Sequence, residues 1–126
     1  MIVVDASAVA ARLLRTAGGD ALDLDEDLHA PELCSLEVAA SLRRGVQVGA
    51  VQIERVAEAL SDYLALPLTL HGHTPLLLRC FSLFDNFTPY DASYVALAEH
   101  LGAPLLTLDR RLAGAVRAHT DVELVP

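Results

Sequence analysis

The sequence predicts a helix-rich α/β fold around a central parallel sheet. Short apolar runs alternate with longer stretches in which apolar residues recur every three or four positions. The runs are typical of strands buried on both faces, and the longer pattern is typical of helices that cover them. Strands that alternate with helices run parallel to one another. Because 126 residues suffice for one hydrophobic core, we expect a single domain over residues 1–126.

Each element has its own signal in the chain. The predicted strands are residues 2–4, 28–31, 68–70, 104–109 and 122–125. The predicted helices are residues 7–15, 32–45, 51–66, 74–84, 91–101 and 110–119. Ser7 is placed to cap the first helix, and Gly45 to stop the second. Thr74 followed by Pro75 is a typical helix start.

Composition and charge exclude several classes of protein. No apolar run is long enough to span a membrane, and no basic segment precedes the apolar start, so we expect a cytoplasmic protein without a signal peptide. Cys34 and Cys80 lie among apolar residues and are predicted to be buried thiols. The net charge of −8 argues against a non-specific nucleic-acid binder, which needs a basic face. It leaves room for an enzyme that acts on nucleic acid through bound cations.

The chain contains no lysine, since all nine of its basic residues are arginine. Phosphate-binding loops need a glycine-rich turn that ends in lysine, so they are excluded. Response-regulator receivers and haloacid-dehalogenase-type phosphatases also place an aspartate after the first strand, but both rely on a lysine. No serine lies in a nucleophile elbow. His71 and His73 have no further histidine or cysteine nearby in the sequence, and we interpret them as part of a surface loop.

Two aspartates follow predicted strands directly. Asp5 comes after the first strand, and Asp109 ends the fourth, with Thr107 on the same face of that strand. The carboxyl ends of parallel strands form the crevice in which ligands bind. The structural alternative is that Asp5 is a turn or cap residue and that Asp109 caps the helix after it.

Two further carboxylates lie on predicted helices. Glu37 is the only charged residue between Leu33 and Leu42, and a buried lone carboxylate is costly, although this flank of the helix can also be exposed. Asp91 follows Thr88 by three residues, which is the spacing of a capping box and by itself favours a cap. Taken with Asp5 and Asp109, the set needs a cation to bring it together. Oxygen ligands without thiolate or imidazole suit Mg²⁺ or Mn²⁺, which activate water and stabilise in-line displacement at phosphorus.

The chain resembles PIN-domain ribonucleases, and specifically VapC-type toxins of type II toxin–antitoxin systems. The resemblance covers essentially the whole length and rests on "IVVDASAV", "APELCSLEVAASLRR", "YDASYVALAEHLGAPLLTLDRRL" and a closing short strand. It implies a PIN-like three-layer α/β/α fold with a central parallel sheet of four to five short strands. The catalytic and metal-binding set that it implies is Asp5, Glu37, Asp91 and Asp109. Ser7 and Thr107 match supporting hydroxyl positions.

The implied activity is Mg²⁺-dependent endonucleolytic cleavage of RNA, with Mn²⁺ as a possible substitute ion. Metal-activated water attacks the phosphodiester and leaves 5′-phosphate and 3′-hydroxyl ends. The implied partners are the RNA substrate, a second copy of the chain, and a VapB-like antitoxin in a heterotetramer or larger assembly. Six arginines are candidates for phosphate contacts, each with a solvated surface residue as the alternative. They are Arg12, Arg15, Arg43, Arg44, Arg110 and Arg111.

One position departs from the family pattern. Many relatives have asparagine three residues after the helix glutamate, where this chain has Ala40 followed by Ser41. The departure favours one alternative, a catalytically weak or silent PIN-fold binding module that retains only its partner contacts. A second alternative is a metal-dependent phosphatase that acts on small phosphate esters.

Overall fold

A four-stranded parallel sheet forms the centre of the molecule. The computed structural model describes residues 1–126. In chain order the strands are β1 (Ile2–Val4), β2 (Leu28–Pro31), β3 (Leu68–His71) and β4 (Leu105–Leu106). Their order across the sheet is β3-β2-β1-β4, and every neighbouring pair is parallel. The prediction of a helix-rich α/β fold with a parallel sheet is therefore confirmed.

Six helices flank this sheet. They are α1 (Ala6–Leu14), α2 (Leu33–Gln47), α3 (Ile53–Ala65), α4 (Leu77–Ser82), α5 (Pro89–Leu101) and α6 (Arg110–His119). Helix α1 packs against α2 and α3, whereas α5 packs on β1, β2 and β4 and is covered by α4. Right-handed crossovers explain this division, because the chain steps outward from β1 to β3 through α1–α3 and returns to β4 through α4 and α5.

The reversal of direction determines where the sheet opens. The chain leaves β1 on one side to form β2, and it reaches the other side of β1 only at β4. The carboxyl ends of β1 and β4 therefore lie at the topological switch point, which is the usual ligand crevice of open parallel sheets. Asp5 directly follows β1, and Thr107 directly follows β4. Of the two predicted strand-end aspartates, Asp5 thus lies directly at this crevice, whereas Asp109 comes three residues after β4, at the cap of α6.

One hydrophobic cluster of 29 buried residues joins the sheet to the helices. It is rich in alanine, valine and leucine, as the low aromatic content predicts. Residues 92–98 of α5 are buried without interruption, and four of these seven are alanine or serine. Small side chains let this helix lie close on the sheet. Cys34 and Cys80 are both buried and unpaired, as predicted. No helix has the length and apolarity that crossing a bilayer requires.

Two predicted strands are shorter than expected. Of residues 104–109 only Leu105 and Leu106 form a strand, because the following residues turn to begin α6. Of residues 122–125 only Leu124 forms a bridge, which is parallel to Leu105. Backbone hydrogen bonds still hold this tail on the sheet, since the amide of Val125 donates to the carbonyl of Leu105 at 2.9 Å.

Three predicted helix boundaries are wrong. Asp5 caps α1 in place of Ser7, which lies inside the helix. Helix α2 continues through Gly45, where a Cβ atom would lie 2.5 Å from Val51 Cγ2; the glycine is needed for this close approach and not for a stop. The chain turns instead at Gly49, whose φ is +77°. Residues 74–84 form a 3₁₀ turn followed by the short α4.

The interpretation of His71 and His73 as a surface loop is wrong for His71, whereas His73 lies in the bend after β3. His71 ends β3, and its Nε2 lies 2.8 Å from Nδ1 of the buried His29. The Nε2 of His29 lies 3.0 Å from Asp27 Oδ1 and makes no hydrogen bond. His73 Nε2 accepts the amide hydrogen of Leu33 at the start of α2. We call His29, His71, His73 and Asp27 the histidine cluster.

Candidate active site

All four predicted carboxylates line one pocket at the carboxyl ends of β1 and β4. The pocket has a volume of about 200 Å³. Its walls come from the start of α1, the middle of α2, and the first turns of α5 and α6. The lining residues are Asp5, Ala6, Ser7, Glu37, Ala40, Ser41, Arg44, Asp91, Tyr94 and Asp109. We call this the carboxylate pocket.

Asp5 forms the floor of this pocket and is only 5% exposed. Its Oδ1 accepts hydrogen bonds from the Ser7 hydroxyl at 2.6 Å and from the amide of Ala8 at 3.2 Å. Its Oδ2 accepts the Thr107 hydroxyl at 2.5 Å. Burial raises the pKa of Asp5 above its usual value, while these hydrogen bonds oppose the rise and the nearby charge of Asp109 adds to it. Asp5 is therefore both the cap of α1 and a buried carboxylate with no cationic partner.

Ser7 and Thr107 connect the two sides of the crevice. The Ser7 oxygen accepts the amide hydrogen of Leu108 at 2.9 Å, so that the start of α1 is tied to the segment after β4. The Thr107 oxygen accepts the amide hydrogen of Asp109 at 3.0 Å. Each hydroxyl thus donates to Asp5 and accepts from the β4–α6 segment. The two predicted supporting hydroxyls lie next to Asp5, where they fix the direction of its carboxylate.

Glu37 enters the pocket from the middle of α2 and is partly buried. Its Oε1 accepts a 2.6 Å hydrogen bond from the hydroxyl of Tyr94, which is 2% exposed. Burial raises the pKa of Glu37, and the charges of Asp91 and Asp5 raise it further. Tyr94 was not among the predicted site residues. Its position three residues after Asp91, on the same face of α5, could have indicated a place in the site.

Asp91 and Asp109 lie on the outer side of the pocket, in the first turn and at the cap of their helices. The amide of Asp91 donates to Thr88 Oγ1 at 3.1 Å, as the capping prediction requires. Asp109 Oδ1 accepts the amide hydrogens of Arg111 and Leu112 and so caps α6. Both carboxylates also face Arg111. Its Nη2 lies 2.8 Å from Asp91 Oδ2 and 3.4 Å from Asp109 Oδ2. These carboxylates combine a helix-terminal role with an exposed ion pair.

The structure separates the six candidate arginines. Arg44 lines the carboxylate pocket, and Arg111 contacts two of its carboxylates. Arg12 and Arg15 line a different cavity of about 750 Å³ at the far end of α1, so their predicted place beside the site is wrong. Arg43 and Arg110 do not line the carboxylate pocket.

The donor set suits a hard divalent cation. Four carboxylates and the hydroxyls of Ser7, Ser41 and Tyr94 offer oxygen atoms, and no imidazole or thiolate lines the pocket. In their present positions no three acidic, histidine or cysteine side chains are grouped closely enough to hold a metal ion. The type of ligand atom and the excess of negative charge therefore suit a divalent cation, but the side chains do not form a complete coordination shell.

The sequence pattern of the PIN domain matches residues 2–117. This chain belongs to the PIN-domain family. The match includes all four carboxylates of the pocket, as well as Ser7 and Thr107. The resemblance inferred from the sequence is thereby confirmed.

Curated members of the PIN-domain family extend the match over the full length. Ribonuclease VapC9 of Mycobacterium tuberculosis is 39% identical over 126 residues, which is 100% of this chain and 99% of that protein. Ribonuclease VapC12 of the same organism is 35% identical and covers 99% of both chains. The crystal structure of PAE2754 from Pyrobaculum aerophilum superposes with a TM-score of 0.74 at 25% identity, over 98% of this chain and 81% of that one.

The position that departs from the family pattern lies within the carboxylate pocket of this PIN domain. Ala40 lines the pocket one turn along α2 from Glu37. Its neighbour Ser41 also lines the pocket, but the Ser41 hydroxyl accepts a hydrogen bond from Arg44 Nη2 at 3.1 Å. The hydroxyl next to Ala40 in the sequence is thus already paired with an arginine.

Proposed function

We propose that this chain is a Mg²⁺-dependent endoribonuclease, the toxin of a type II toxin–antitoxin pair. The observation that carries the proposal is the carboxylate pocket, in which four acidic side chains meet at the switch point of the sheet without a lysine. Two full-length relatives are named as VapC ribonucleases, which supports RNA as the substrate. The acidic net charge agrees with a site that attracts RNA only after a cation has bound.

The proposed ligands of the metal are Asp5, Glu37, Asp91 and Asp109, with Mn²⁺ as a substitute for Mg²⁺. When bound, the ion activates water for attack on phosphorus and offsets the charge of the leaving oxygen. Ser7 and Thr107 hold the Asp5 carboxylate in one orientation through their hydroxyl donors. Tyr94 does the same for Glu37. Arg44, on the wall of the pocket, is placed to contact a phosphate of the RNA.

Cleavage by water fixes the chemistry of the ends. The proposal predicts a 5′-phosphate and a 3′-hydroxyl, because the 2′-hydroxyl of the RNA is not the nucleophile. Sequencing of RNA ends with and without phosphatase treatment measures this directly. A substrate with a single 2′-deoxy nucleotide at the cleaved position should still be cut, whereas a 2′,3′-cyclic phosphate product would contradict the mechanism.

The test of the function compares the purified protein with Asp91→Asn in RNA cleavage assays. Cleavage should require Mg²⁺ or Mn²⁺, stop in EDTA, and fall below detection in Asp91→Asn. The matched control is Asp85→Asn, which removes an exposed carboxylate outside the pocket and should leave cleavage unchanged. Cleavage that survives in both EDTA and Asp91→Asn would come from a contaminant or from another site.

Protein partners are proposed from the surface of α4. Leu77, Leu78, Phe81 and Phe84 are between 57% and 91% exposed, and the two phenylalanine rings stack with centroids 5.5 Å apart. An apolar patch of this kind marks a protein interface. We assign it to a second copy of the chain, which gives a homodimer that joins a VapB-like antitoxin in a heterotetramer or larger assembly. Light scattering of Phe81→Glu should show a monomer if the assignment holds, and an unchanged dimer would refute it.

The antitoxin is proposed to inhibit by placing a basic side chain in the acidic pocket. Unpaired carboxylates such as Asp5 favour an incoming arginine or lysine. Co-expression with the cognate VapB-like antitoxin should restore growth that the toxin alone arrests. Growth that is unrestrained without any partner would count against a toxin.

One specific observation favours a second candidate, a catalytically silent binding module. The carboxylates are not grouped for a metal ion, and Ala40 leaves the pocket without a polar group at that position. Titration calorimetry with Mn²⁺ separates the two functions. Measurable binding supports the nuclease, and the absence of binding supports the silent module.

A further inference from the structure

We infer that Arg111 acts as a built-in competitor of the metal ion: its guanidinium occupies the cation position between Asp91 and Asp109 and must leave before the ion binds. The inference rests on the proposed function, because it concerns the affinity of the same pocket. It goes beyond that function by assigning to this chain's own α6 a control over metal loading.

The contacts of Arg111 are those of a bridging cation. A single nitrogen atom, Nη2, lies 2.8 Å from Asp91 Oδ2 and 3.4 Å from Asp109 Oδ2. On Asp109 it faces Oδ2, the oxygen that does not cap α6. A divalent ion held between Asp91 and Asp109 would compete with Arg111 for these oxygens. Arg111 and the ion cannot use them at the same time.

The position of Arg111 on its helix supports the same conclusion. It is the second residue of α6, where the helix dipole presents partial positive charge. A guanidinium is disfavoured there unless nearby anions hold it. The carboxylates of Asp91 and Asp109 supply that attraction, and the same attraction would bind a metal ion.

The ion pair is also exchangeable. The Arg111 side chain is 66% exposed, and it has a long, flexible stem that can turn into solvent. Exposed ion pairs are weak, and a doubly charged ion attracts two carboxylates more strongly than a single guanidinium does.

Arg110 provides a matched control within the same helix turn. It carries the same charge, is exposed, and has no ion pair with the pocket carboxylates. Removal of either arginine changes the net charge by the same amount. Only removal of Arg111 frees Asp91 and Asp109.

Titration calorimetry with Mn²⁺ on the full-length protein tests the inference. Arg111→Gln should bind Mn²⁺ on the order of threefold to fivefold more tightly than the wild type, which is the range for loss of one exposed ion pair. Arg110→Gln should stay within about 1.5-fold of the wild type, because exposed charges are screened by salt. Arg111→Lys, which keeps the charge but loses the planar fork, should fall between Arg111→Gln and the wild type.

Thermal unfolding provides a second readout that does not depend on activity. In EDTA, Arg111→Gln should unfold at a lower temperature than the wild type, because Asp91 and Asp109 then repel each other without a cation. Saturating Mn²⁺ should remove the difference, since the ion replaces Arg111. If the difference were the same with and without Mn²⁺, Arg111 would be only a structural ion-pair partner and the inference would be wrong.

The outcomes separate this inference from the proposed function. Equal Mn²⁺ affinity of the wild type, Arg110→Gln and Arg111→Gln would overturn the competitor role and leave the metal site standing. A lack of Mn²⁺ binding in all of them would overturn both. Tighter binding by Arg111→Gln alone supports both.

Discussion

The carboxylate pocket and the histidine cluster are the two main groups of titratable side chains in the molecule, and they differ in how their charges are balanced. In the pocket, Asp5 is buried without a cation, and Glu37 has only the neutral Tyr94 as its hydrogen-bond donor. The one arginine that contacts the pocket's acids lies at its outer edge. In the histidine cluster, the rings of His29 and His71 contact each other, and His29 also lies beside an aspartate.

This difference separates a candidate functional site from a structural one. Neighbouring like charges without partners destabilise the fold, so the pocket carboxylates need a cation that the fold itself does not supply. The members of the histidine cluster contact one another, and only the Nε2 of His29 is left without a hydrogen-bond partner, so the cluster is held mainly by its own contacts. Changes in the pocket should therefore affect function and leave stability intact, and changes in the cluster should do the reverse.

The largest expected effect is that of Asp5→Asn. Loss of a buried carboxylate ligand should reduce single-turnover RNA cleavage by at least ~100-fold. Without metal at pH 7, the variant should be as stable as the wild type or more stable, because burial penalises the ionised Asp5 carboxylate. Cleavage assays and urea unfolding in EDTA measure the two effects.

The same unfolding experiment has a control in added Mg²⁺. The ion should stabilise the wild type, since it binds only the folded state, and it should stabilise Asp5→Asn much less. A variant that loses activity because it unfolds would show that Asp5 is mainly structural and would remove the contrast between the two regions.

Tyr94→Phe should have the next largest effect. The ring still fills its buried position, but Glu37 loses its 2.6 Å hydrogen bond and its fixed orientation. Groups that orient a metal ligand typically contribute about 10- to 100-fold, so we expect cleavage to fall by roughly tenfold with the Mn²⁺ affinity also reduced. Tyr90→Phe, on the exposed side of the same helix, is the control and should behave as the wild type. Equal activity of the two variants would show that Tyr94 does not position Glu37.

Ser7→Ala tests whether the orientation of the Asp5 carboxylate matters for cleavage. It removes the 2.6 Å donor to Asp5 and the acceptor for the Leu108 amide, so it loosens the link between α1 and the β4–α6 segment. We expect a loss of cleavage of about tenfold, the lower end for a group that orients a ligand. Ser41→Ala is a fitting control, because Ser41 also lines the pocket but contacts only Arg44. If both alanine variants lose activity equally, general pocket polarity and not the orientation of Asp5 is responsible.

The sequence was sufficient to predict the pocket because strand ends and helix flanks are local features. Asp5 and Asp109 follow apolar runs, and such positions in a parallel sheet converge at one edge whatever the details of packing. The roles of Tyr94 and Arg111 depend instead on how α5 meets α2 and α6, which no local pattern specifies. Arg12 and Arg15 were misplaced because each residue of α1 moves the chain about 1.5 Å away from the site.

The contacts of the histidine cluster were likewise not predictable from the local sequence. His71 and His73 have no further histidine or cysteine near them in the sequence, which suggested a surface loop, but their partners are His29 on β2 and the start of α2. Pairing of β2 with β3 brings His29 and His71 to the same face of the sheet, through a register that places Pro31 opposite His71. That register follows from packing over the whole sheet.

The smallest expected effect concerns pH and the histidine cluster. Burial lowers the pKa of His71, and the charges of His29 and His100 lower it further. Because the folded value lies below the unfolded value of 6.5, this contribution to stability is present above pH 6.5 and is lost as the pH falls through the folded value. His71→Gln, which does not titrate, should lose less stability than the wild type as the pH falls from 7 to about 5. Urea unfolding at each pH measures this, with the exposed His119→Gln as the control, and RNA cleavage at pH 7 should be unchanged. A fall in cleavage larger than the unfolded fraction explains would show that the histidine cluster also affects the reaction.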